Sequence, residues 1–411
     1  MLFVALLISS CSSQEETTSA ASDGGFTVVA LGDAGEKNGY LRSIGSLLGR
    51  MQTGEHDGGR TDALVFLGDN FYPTGLNVPA ADVESKVSSI LGQFDELVTE
   101  LPRDRVQAVA GNHDYYTRHA FEASALFGLI DIEIGPIGVS DKGNEREKAI
   151  DEWTYHYNMP GHALFPLAQD SRDSIEFIFF DSARLLRTEP AAWIPGLDSL
   201  GRILAKSRDH PNVKWRVVAM HHPLYSVGEH GGYTILNDET REVEFLTACD
   251  KDTNALSWFK NFLDPEDLCA DRYRAYADSM TTIIGRSGAK VHFVLSGHDH
   301  SLQLLSYPEK VAGCPTCPSI QIVSGAGSKG EMVKRPHPPS EFTSFDMKEQ
   351  DGSSLTGFVQ LGFGEERVRV VFFNGKKAEP LDMGDGRTEF WIDRDGKLSG
   401  PPTEIHFQDE P

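Results

Sequence analysis

The sequence has few basic residues, and this lack limits the partners that it can bind through charge. Its 38 Lys and Arg stand against 61 Asp and Glu, which gives a formal net charge of −23. No basic patch is visible in the sequence, which argues against binding of nucleic acid through a basic surface. A phosphate-bearing ligand is repelled by the whole molecule, and its affinity must therefore come from local positive charge such as metal ions.

Beyond its first residues, the sequence has no apolar stretch long enough to cross a bilayer. The first residues, Met1–Ile8, form a short apolar run, which small residues and Cys11 follow. This order resembles a bacterial lipoprotein signal over residues 1–11, with Cys11 as the lipidated residue. Because no Lys or Arg precedes the run, and because the run is shorter than a usual signal core, a frayed cytosolic N-terminus is the alternative.

Residues 12–25 are small and polar, which is typical of a flexible tether. Together with the signal-like segment, the tether predicts a protein that is secreted, periplasmic or lipid-anchored at the cell surface. In that case the protein contacts a membrane only through a lipid on Cys11.

Cysteine is scarce, with five in 411 residues. Without Cys11 an even number remains, which is compatible with disulfides in an exported protein. Cys314 and Cys317 predict a disulfide that closes a short loop, and Cys249 and Cys269 can close another. The alternative for Cys314 and Cys317 is a zinc or redox motif, but no second cysteine pair of that spacing accompanies them.

Apolar runs alternate with helical patterns along the chain. Runs at 26–31, 63–67 and 106–110 predict strands, and the spacing of apolar residues predicts helices over 40–51 and 83–101. This alternation predicts parallel strands joined by right-handed crossovers. Further strands are predicted at 175–180, 213–220, 291–295, 320–323, 357–363 and 367–373.

The domain organisation follows from this alternation and from the places where it stops. We predict one catalytic domain over 26–375, without an internal linker, and a C-terminal extension over 376–411. Two stretches inside the domain depart from the pattern and predict insertions, near 130–151 and 240–274.

Short polar clusters follow five of the apolar runs, at the strand ends where α/β sheets bind ligands. The clusters are Gly32-Asp33-Ala34-Gly35, Gly68-Asp69-Asn70-Phe71-Tyr72, Gly111-Asn112-His113-Asp114, His221-His222-Pro223 and Gly297-His298-Asp299-His300. Each cluster alone is compatible with an ordinary loop, but together they predict one metal site. Carboxylate, phenolate, amide and imidazole groups suit Fe, Zn or Mn rather than Ca, and a carboxylate such as Asp69 can bridge two cations.

The five clusters, in this order, resemble the motifs of the purple acid phosphatases, which belong to the calcineurin-like metallophosphoesterases. Among the purple acid phosphatases, the resemblance is to the small, tartrate-resistant type. The loop at 226–231, which contains Glu229-His230-Gly231, and the segment at 323–327 extend the resemblance, which covers about residues 25–375. Ala34 departs from it, because many relatives have an aromatic residue there. The resemblance implies an α/β fold, a four-layer α/β/β/α metallophosphoesterase sandwich of two mixed sheets.

The resemblance also implies a dinuclear centre of Fe(III) with Fe(II), Zn(II) or Mn(II). The implied ligands of the ferric ion are Asp33, Tyr72, His300 and the shared Asp69. The implied ligands of the divalent ion are Asn112, His221, His298 and the same Asp69. His222 is the alternative to His221, since the two are adjacent, and a core aromatic on a loop is the alternative for Tyr72.

Three further residues are implied to act on the substrate. His113 is expected to donate a proton to the leaving alkoxide, with His230 assisting and Glu229 orienting His230; a solvated loop is the alternative for the last two. Asp114 and Asp299 are expected to hold imidazoles by their far nitrogen. His292 is predicted to be a core residue, and the turn at 324–327 is predicted to pack beside the site.

The implied activity is an acid phosphatase that hydrolyses phosphate monoesters with hydroxide generated at the metal centre. We expect a small phosphate ester or a phosphoprotein as substrate, no nucleic acid partner, and a monomer. Two alternatives remain open: a phosphodiesterase or pyrophosphatase of the same fold, and a non-catalytic surface protein that keeps the fold as a binding module. The intact ligand set argues against the binding module.

Overall fold

The structure is a computed structural model. It describes residues 25–73, 75, 80–115, 154–156, 159–188, 190–226, 230, 234–236, 243–245, 270–307, 311–331, 342–344, 353–382 and 386–399. The predicted signal segment, almost all of the tether, the insertion at 130–151, Glu229, Cys249 and Cys269 lie outside the described residues.

The strands are short and most of them are buried. In chain order they are Phe26–Leu31 (β1), Ala63–Phe66 (β2), Val106–Val109 (β3), Thr154–His156 (β4), Gly161–Pro166 (β5), Ser174–Phe180 (β6), Val213–Met220 (β7), Thr234–Leu236 (β8), Val243–Phe245 (β9), Phe293–Ser296 (β10), Leu302–Ser306 (β11), Ile320–Ser324 (β12), Phe342–Ser344 (β13), Gly357–Phe363 (β14), Arg367–Asn374 (β15), Glu379–Pro380 (β16), Phe390–Asp393 (β17) and Leu398–Ser399 (β18).

The helices connect the strands and cover the outer faces of the sheets. They are Gly39–Thr53 (α1), Ala80–Leu91 (α2), Asp95–Val98 (α3), Ser182–Arg187 (α4), Ile194–Arg208 (α5) and Asp271–Ser287 (α6). Helix α1 begins where Asn38 Oδ1 accepts the N–H groups of Tyr40 and Leu41, and it ends at Gly54, whose φ of 80° suits glycine. None of the helices in the described part of the chain has the length and apolar character to span a membrane.

Within the described ranges, the strands form two large mixed sheets and one hairpin. The first sheet has the order β18-β17-β15-β14-β1-β2-β3-β4, with β16 beside β15, and the second has the order β13-β11-β12-β10-β7-β6-β5. Parallel pairing joins β1, β2 and β3 in the first sheet, and β6, β7, β10 and β12 in the second. The C-terminal ends of these neighbouring strands therefore meet at one edge of each sheet.

Burial shows how the layers stack. Val28 and Ala30 face a core that also holds Phe177 and Val217 of the second sheet, so the two sheets pack face to face. Val29, the residue between them, points to the other face, against α1. The second sheet is covered in the same way by α4, α5 and α6. Both faces of the central strands are buried, and a strand such as β2 is apolar throughout. The predicted α/β/β/α sandwich is confirmed.

The single helix predicted over 83–101 is wrong in its extent. The structure ends α2 at Leu91 and starts α3 at Asp95. Between them the chain turns so that the buried Phe94 ring lies edge-on to Phe66, with 5.2 Å between the ring centroids. Periodicity cannot show this break, because apolar residues continue at helical spacing on both sides of it.

The segment from residue 376 onward adds strands to the first sheet. Strand β17 pairs with β15, and β18 pairs with β17. A disulfide joins Cys314 and Cys317, as predicted for the short loop that they close.

Candidate metal centre

The edge where the parallel strands end carries the predicted ligands. Asp33, Asp69 and Asn112 follow β1, β2 and β3 in the first sheet, and His221 and His298 follow β7 and β10 in the second. Within each sheet neighbouring turns are tied together, since the Asp33 N–H donates to Gly68 O at 3.0 Å and the Gly297 N–H to His221 O at 3.0 Å. Between the sheets, the His298 N–H donates to Asp33 Oδ2 at 2.8 Å. The two sheets thus present their polar strand ends to a common space.

Glycine at the start of these clusters permits the close approach. A Cβ on Gly32 would lie 2.9 Å from the Cα of Gly297 in the opposite sheet. A Cβ on Gly111 would lie 2.2 Å from the backbone N and 2.3 Å from Oδ1 of Asp69. Any side chain at either position would therefore push the sheet edges, and with them the carboxylates, apart.

One group of donor atoms surrounds the phenol oxygen of Tyr72. This oxygen lies 2.9 Å from Asp33 Oδ1, 2.8 Å from Asp69 Oδ2 and 3.1 Å from His300 Nε2. His300 Nε2 also lies 3.4 Å from Asp33 Oδ1. The four predicted ligands of the ferric ion are thus neighbours in space, although they come from three separate clusters of the chain.

The other group lies on the far side of Asp69. His221 Nε2 is 2.8 Å from Asn112 Oδ1 and 3.4 Å from Asp69 Oδ1. The ring of His298 lies 5.2 Å from that of His221, measured between centroids. Asp69 therefore turns Oδ2 to the Tyr72 group and Oδ1 to the His221 group, as a carboxylate shared between two cations requires.

The chemistry of the two groups fits cations. The phenol hydroxyl has one proton for two neighbouring carboxylate oxygens, so with both carboxylates ionised one close oxygen pair has no hydrogen between its members. Burial, followed by the charges of Asp33 and Asp69, raises the pKa of Tyr72 well above its usual value. Burial lowers the pKa of His300, yet hydrogen bonds with Asp33 and Glu331 outweigh it and raise that pKa to about 10. Positive charge is therefore strongly favoured here.

The backbone is strained at three of the predicted ligands. Five non-glycine residues in the described ranges have a positive φ, and Asp33, Asp69 and His298 are three of them, at 57°, 53° and 73°. This left-handed conformation is uncommon for residues with a side chain and persists where the surrounding structure imposes it, often at functional sites. The Asp33 Oδ2 atom accepts the His298 N–H at 2.8 Å, which links two of the strained residues.

Three imidazoles of the site share one orientation. Nδ1 of His113, His221 and His300 lies 2.7 Å from Pro73 O, 2.8 Å from Leu67 O and 2.5 Å from Glu331 Oε1, respectively. Nε2 of the same rings lies near the carboxylates. In the predicted ligands His221 and His300, an oxygen at Nδ1 fixes the tautomer that leaves the Nε2 lone pair for a metal. No motif in the sequence marks Glu331, so its contact with His300 could not be predicted.

Asp114 and Asp299 are predicted to hold imidazoles, but their hydrogen bonds in the structure show a different role. Asp114 accepts the backbone N–H groups of Asn70 and Gly111, at 2.9 Å each, and so ties together the loops after β2 and β3. Asp299 accepts the His230 N–H at 2.8 Å and the Ser226 hydroxyl. Both carboxylates hold loop backbone, so the loops rather than the rings depend on them.

The residues predicted to act on the substrate lie at opposite ends of the centre. His113 Nε2 is 3.9 Å from Asp69 Oδ2, its side chain is 15% exposed, and its ring lies 4.6 Å from that of Tyr72. The half-buried His230 ring lies 4.7 Å from that of His298. Glu229 lies outside the described residues, so its predicted role stays a prediction.

Two nearby features complete the surroundings. Lys329 Nζ lies 4.2 Å from the centroid of the Tyr72 ring and places a cation over the predicted tyrosinate. The turn at 324–327 is packed beside the site, since the N–H groups of Gly32 and Gly327 bond Ser324 O at 2.6 Å and Gly32 O at 3.1 Å. His292 is a core residue, as predicted, and its Nδ1 accepts the Arg216 N–H at 3.0 Å.

The fold and the site agree with the comparison against known families. The model of the family described as calcineurin-like phosphoesterase matches residues 26–302, which contain all seven predicted ligands. No curated protein matches the chain.

Solved structures of similar architecture share little sequence with the chain. The chain is similar to GAP50, the anchor in the inner membrane complex of Plasmodium, with 15% identity, a TM-score of 0.45 and 87% of each chain covered. It is also similar to PhoD, with 11% identity, a TM-score of 0.49, and 92% of this chain and 72% of that one covered. Because these identities and TM-scores are low, the proposed function rests on the family match and on the geometry of the site.

Proposed function

We propose that this chain, which belongs to the calcineurin-like phosphoesterase family and is a metal-dependent phosphoester hydrolase, is an acid phosphatase of the purple type that hydrolyses phosphate monoesters. The family's dinuclear centre would here pair Fe(III) with Fe(II), Zn(II) or Mn(II). The proposed ligands are the seven that the strand ends bring together: Asp33, Asp69, Tyr72, Asn112, His221, His298 and His300.

The position of Tyr72 carries the proposal. Its hydroxyl lies within hydrogen-bond distance of two carboxylates and of the Nε2 atom of His300. A phenol in that place can lose its proton to become a ligand, and a phenolate suits a ferric ion better than a softer divalent one. This feature supports the purple type over other members of the family, which bind other metals without a tyrosine.

The metal pair, when bound, supplies positive charge to the phosphoryl oxygens and lowers the pKa of water at the site. The chain's own residues orient the reacting groups. His113, at the partly exposed end of the centre, is placed to give a proton to the leaving oxygen, and its Nδ1 contact with Pro73 O holds the ring in position. His230, at the opposite end, assists, and Glu229 orients it.

The substrate class and the location of the protein belong to the same proposal. The chain is acidic outside the metal site, so positive charge that can attract phosphate is confined to that site. A small phosphate ester or a phosphoprotein suits such a centre. The N-terminal resemblance to a lipoprotein signal supports a secreted, periplasmic or lipid-anchored protein.

Hydrolysis of an aryl phosphate at acidic pH by the purified, metal-loaded protein tests the proposal. Asp69→Asn removes one charged oxygen from the shared carboxylate and should abolish activity. Asp170→Asn, a matched change at an exposed turn residue that also has a positive φ of 64°, should leave activity unchanged. Retained activity in Asp69→Asn would overturn the assignment.

Two further outcomes separate the alternatives. Faster hydrolysis of an aryl diester than of the monoester would identify a phosphodiesterase, and release of phosphate from pyrophosphate at the higher rate would identify a pyrophosphatase. Absence of both bound metal and activity would favour the binding module.

A further inference from the structure

His222 has an unusual environment for a residue next to a predicted ligand. Its side chain is fully buried, and Nδ1 lies 3.0 Å from Ser182 Oγ. The same hydroxyl oxygen accepts the backbone N–H of His222 at 2.9 Å, so Ser182 fixes both the backbone and the ring. Among the described residues, Nε2 of His222 has no hydrogen-bond partner. A buried polar atom without a partner is costly and calls for an explanation.

The histidines that surround this ring supply an explanation for the buried Nε2 atom. One ring nitrogen from each of His221, His222 and His298 can be chosen so that all three lie within 4.8 Å of one another. The His222 ring lies 4.3 Å from that of His298 and 4.8 Å from that of His221, measured between centroids. Two nitrogens that bind one cation through bonds of about 2.1 Å lie at most about 4.2 Å apart. Small rotations of the rings would therefore bring nitrogens that lie within 4.8 Å of one another onto a shared ion.

The orientation of His222 matches that of the predicted ligands. His221 and His300 each have Nδ1 against an oxygen, from Leu67 and Glu331, and leave Nε2 for the centre. In His222 the oxygen at Nδ1 is Ser182 Oγ. Donation of the Nδ1 proton to Ser182 leaves a lone pair on Nε2, which is the form that binds a metal.

We infer that His222 Nε2 is an additional ligand of the divalent metal ion and that it biases this position toward Zn²⁺ over Mn²⁺. This inference rests on the proposed dinuclear centre and adds a third imidazole, beside those of His221 and His298. Imidazole nitrogens suit zinc, whereas manganese prefers oxygen ligands, so each added imidazole strengthens the preference for zinc. Ser182 acts as the positioning residue for the new ligand.

His222→Asn isolates the proposed ligand. The asparagine amide reaches no further than the Nδ1 position, so the contact with Ser182 can be kept while Nε2 is deleted. His222→Phe removes both nitrogens but keeps the ring. His292→Asn is the matched control, because His292 is another buried histidine whose Nδ1 has a partner and which lies outside the centre.

The readout is metal binding, measured by competition of Zn²⁺ and Mn²⁺ with a chromophoric chelator, together with the visible spectrum of the Co²⁺-substituted protein. Loss of an outer partner of a metal ligand typically weakens binding about 10–100-fold. We expect His222→Asn and His222→Phe to weaken Zn²⁺ binding by at least this factor, to affect Mn²⁺ less, and to change the Co²⁺ spectrum. His292→Asn should change neither.

The outcomes distinguish this inference from the proposed function. Unchanged Zn²⁺ affinity and an unchanged Co²⁺ spectrum in both His222 variants, with circular dichroism showing an intact fold, would overturn the role of His222 alone. Equal loss of Zn²⁺ and Mn²⁺ affinity would overturn the zinc preference. Failure of the unsubstituted protein to bind any divalent metal would instead refute the dinuclear centre itself.

Discussion

Glu331 Oε1 lies 2.5 Å from Nδ1 of His300, and the backbone N–H of Glu331 donates to the carbonyl oxygen of the same histidine at 2.8 Å. The carboxylate thus meets the far side of a predicted ligand and is itself held against it by the main chain. A carboxylate in this place orients the imidazole and strengthens Nε2 as a donor. The contact therefore extends the candidate centre to a residue outside every motif.

Replacement of Glu331 by Gln should weaken binding of the metal at the Tyr72 group. The amide keeps the size of the side chain but removes the charge that raises the pKa of His300. We expect a loss of about 10–100-fold in metal affinity, measured by titration with a competing chelator. Glu389→Gln is the control, since Glu389 has the same exposure of 33% and pairs with Arg369 instead. Equal effects of the two changes would contradict the proposed role.

Tyr72→Phe should remove the visible colour that a tyrosinate gives to a ferric centre. The change deletes only the oxygen that lies 2.8 Å from Asp69 Oδ2 and 2.9 Å from Asp33 Oδ1. The measurement is the absorption spectrum of the iron-loaded protein. Tyr40→Phe, a change in α1 away from the centre, should keep the band. A visible band that survives in Tyr72→Phe would show that the tyrosine does not bind iron.

His113→Asn should slow the reaction most for substrates with poor leaving groups. Asparagine can keep the contact with Pro73 O but lacks Nε2, which lies at the partly exposed end of the centre. Proton donation of this kind contributes about 10²–10⁴-fold to the rate. Comparison of kcat for an alkyl phosphate and for a nitrophenyl phosphate measures this contribution, with His162→Asn, at an exposed histidine beside Glu176, as the control. A uniform loss across both substrates would argue against an acid role.

Gly111→Ala should displace Asp69, although Gly111 itself supplies no ligand atom. The added Cβ would meet the backbone N of Asp69 at 2.2 Å, and because φ of Gly111 is −105°, the effect is purely steric. Such overpacking costs about 1–3 kcal/mol of unfolding free energy, and the displaced carboxylate should lower metal occupancy. Gly39→Ala is the control, since its Cβ would meet nothing within 4 Å. Full metal content in Gly111→Ala, by elemental analysis, would contradict this prediction.

His292 should make the fold less stable in acid. Burial, followed by the charge of Arg394, lowers its pKa from 6.5 to about 3. Below pH 6.5, His292 binds a proton in the unfolded chain but not in the folded protein. The free energy of unfolding is therefore highest above that pH and decreases as pH falls toward 3. Between pH 7.5 and 5 this loss amounts to about 2 kcal/mol for one such histidine. Urea unfolding of His292→Asn should show a pH dependence smaller by that amount, and an unchanged dependence would contradict the prediction.

Much of the fold could be predicted from the sequence because the signals are local. Apolar runs such as 26–31 and 213–220 are strands in the structure, as their β-branched content predicts. The break between α2 and α3 could not be predicted, because it depends on the packing of Phe94 against Phe66, which lies on another element. Such long-range contacts override local helical preference.

By itself, the sequence determined which donor groups follow which strands: the carboxylates, the amide and the imidazoles all stand directly behind apolar runs, and parallel strands bring such ends to one edge. Only the tertiary structure decided which groups contact the donor residues on the side away from the metal centre. Glu331 behind His300, Ser182 behind His222, and the backbone contacts of Asp114 all join residues that are distant along the chain. The physical reason is that a strand end is a local property, whereas the partner of a ring nitrogen is set by how separate loops pack.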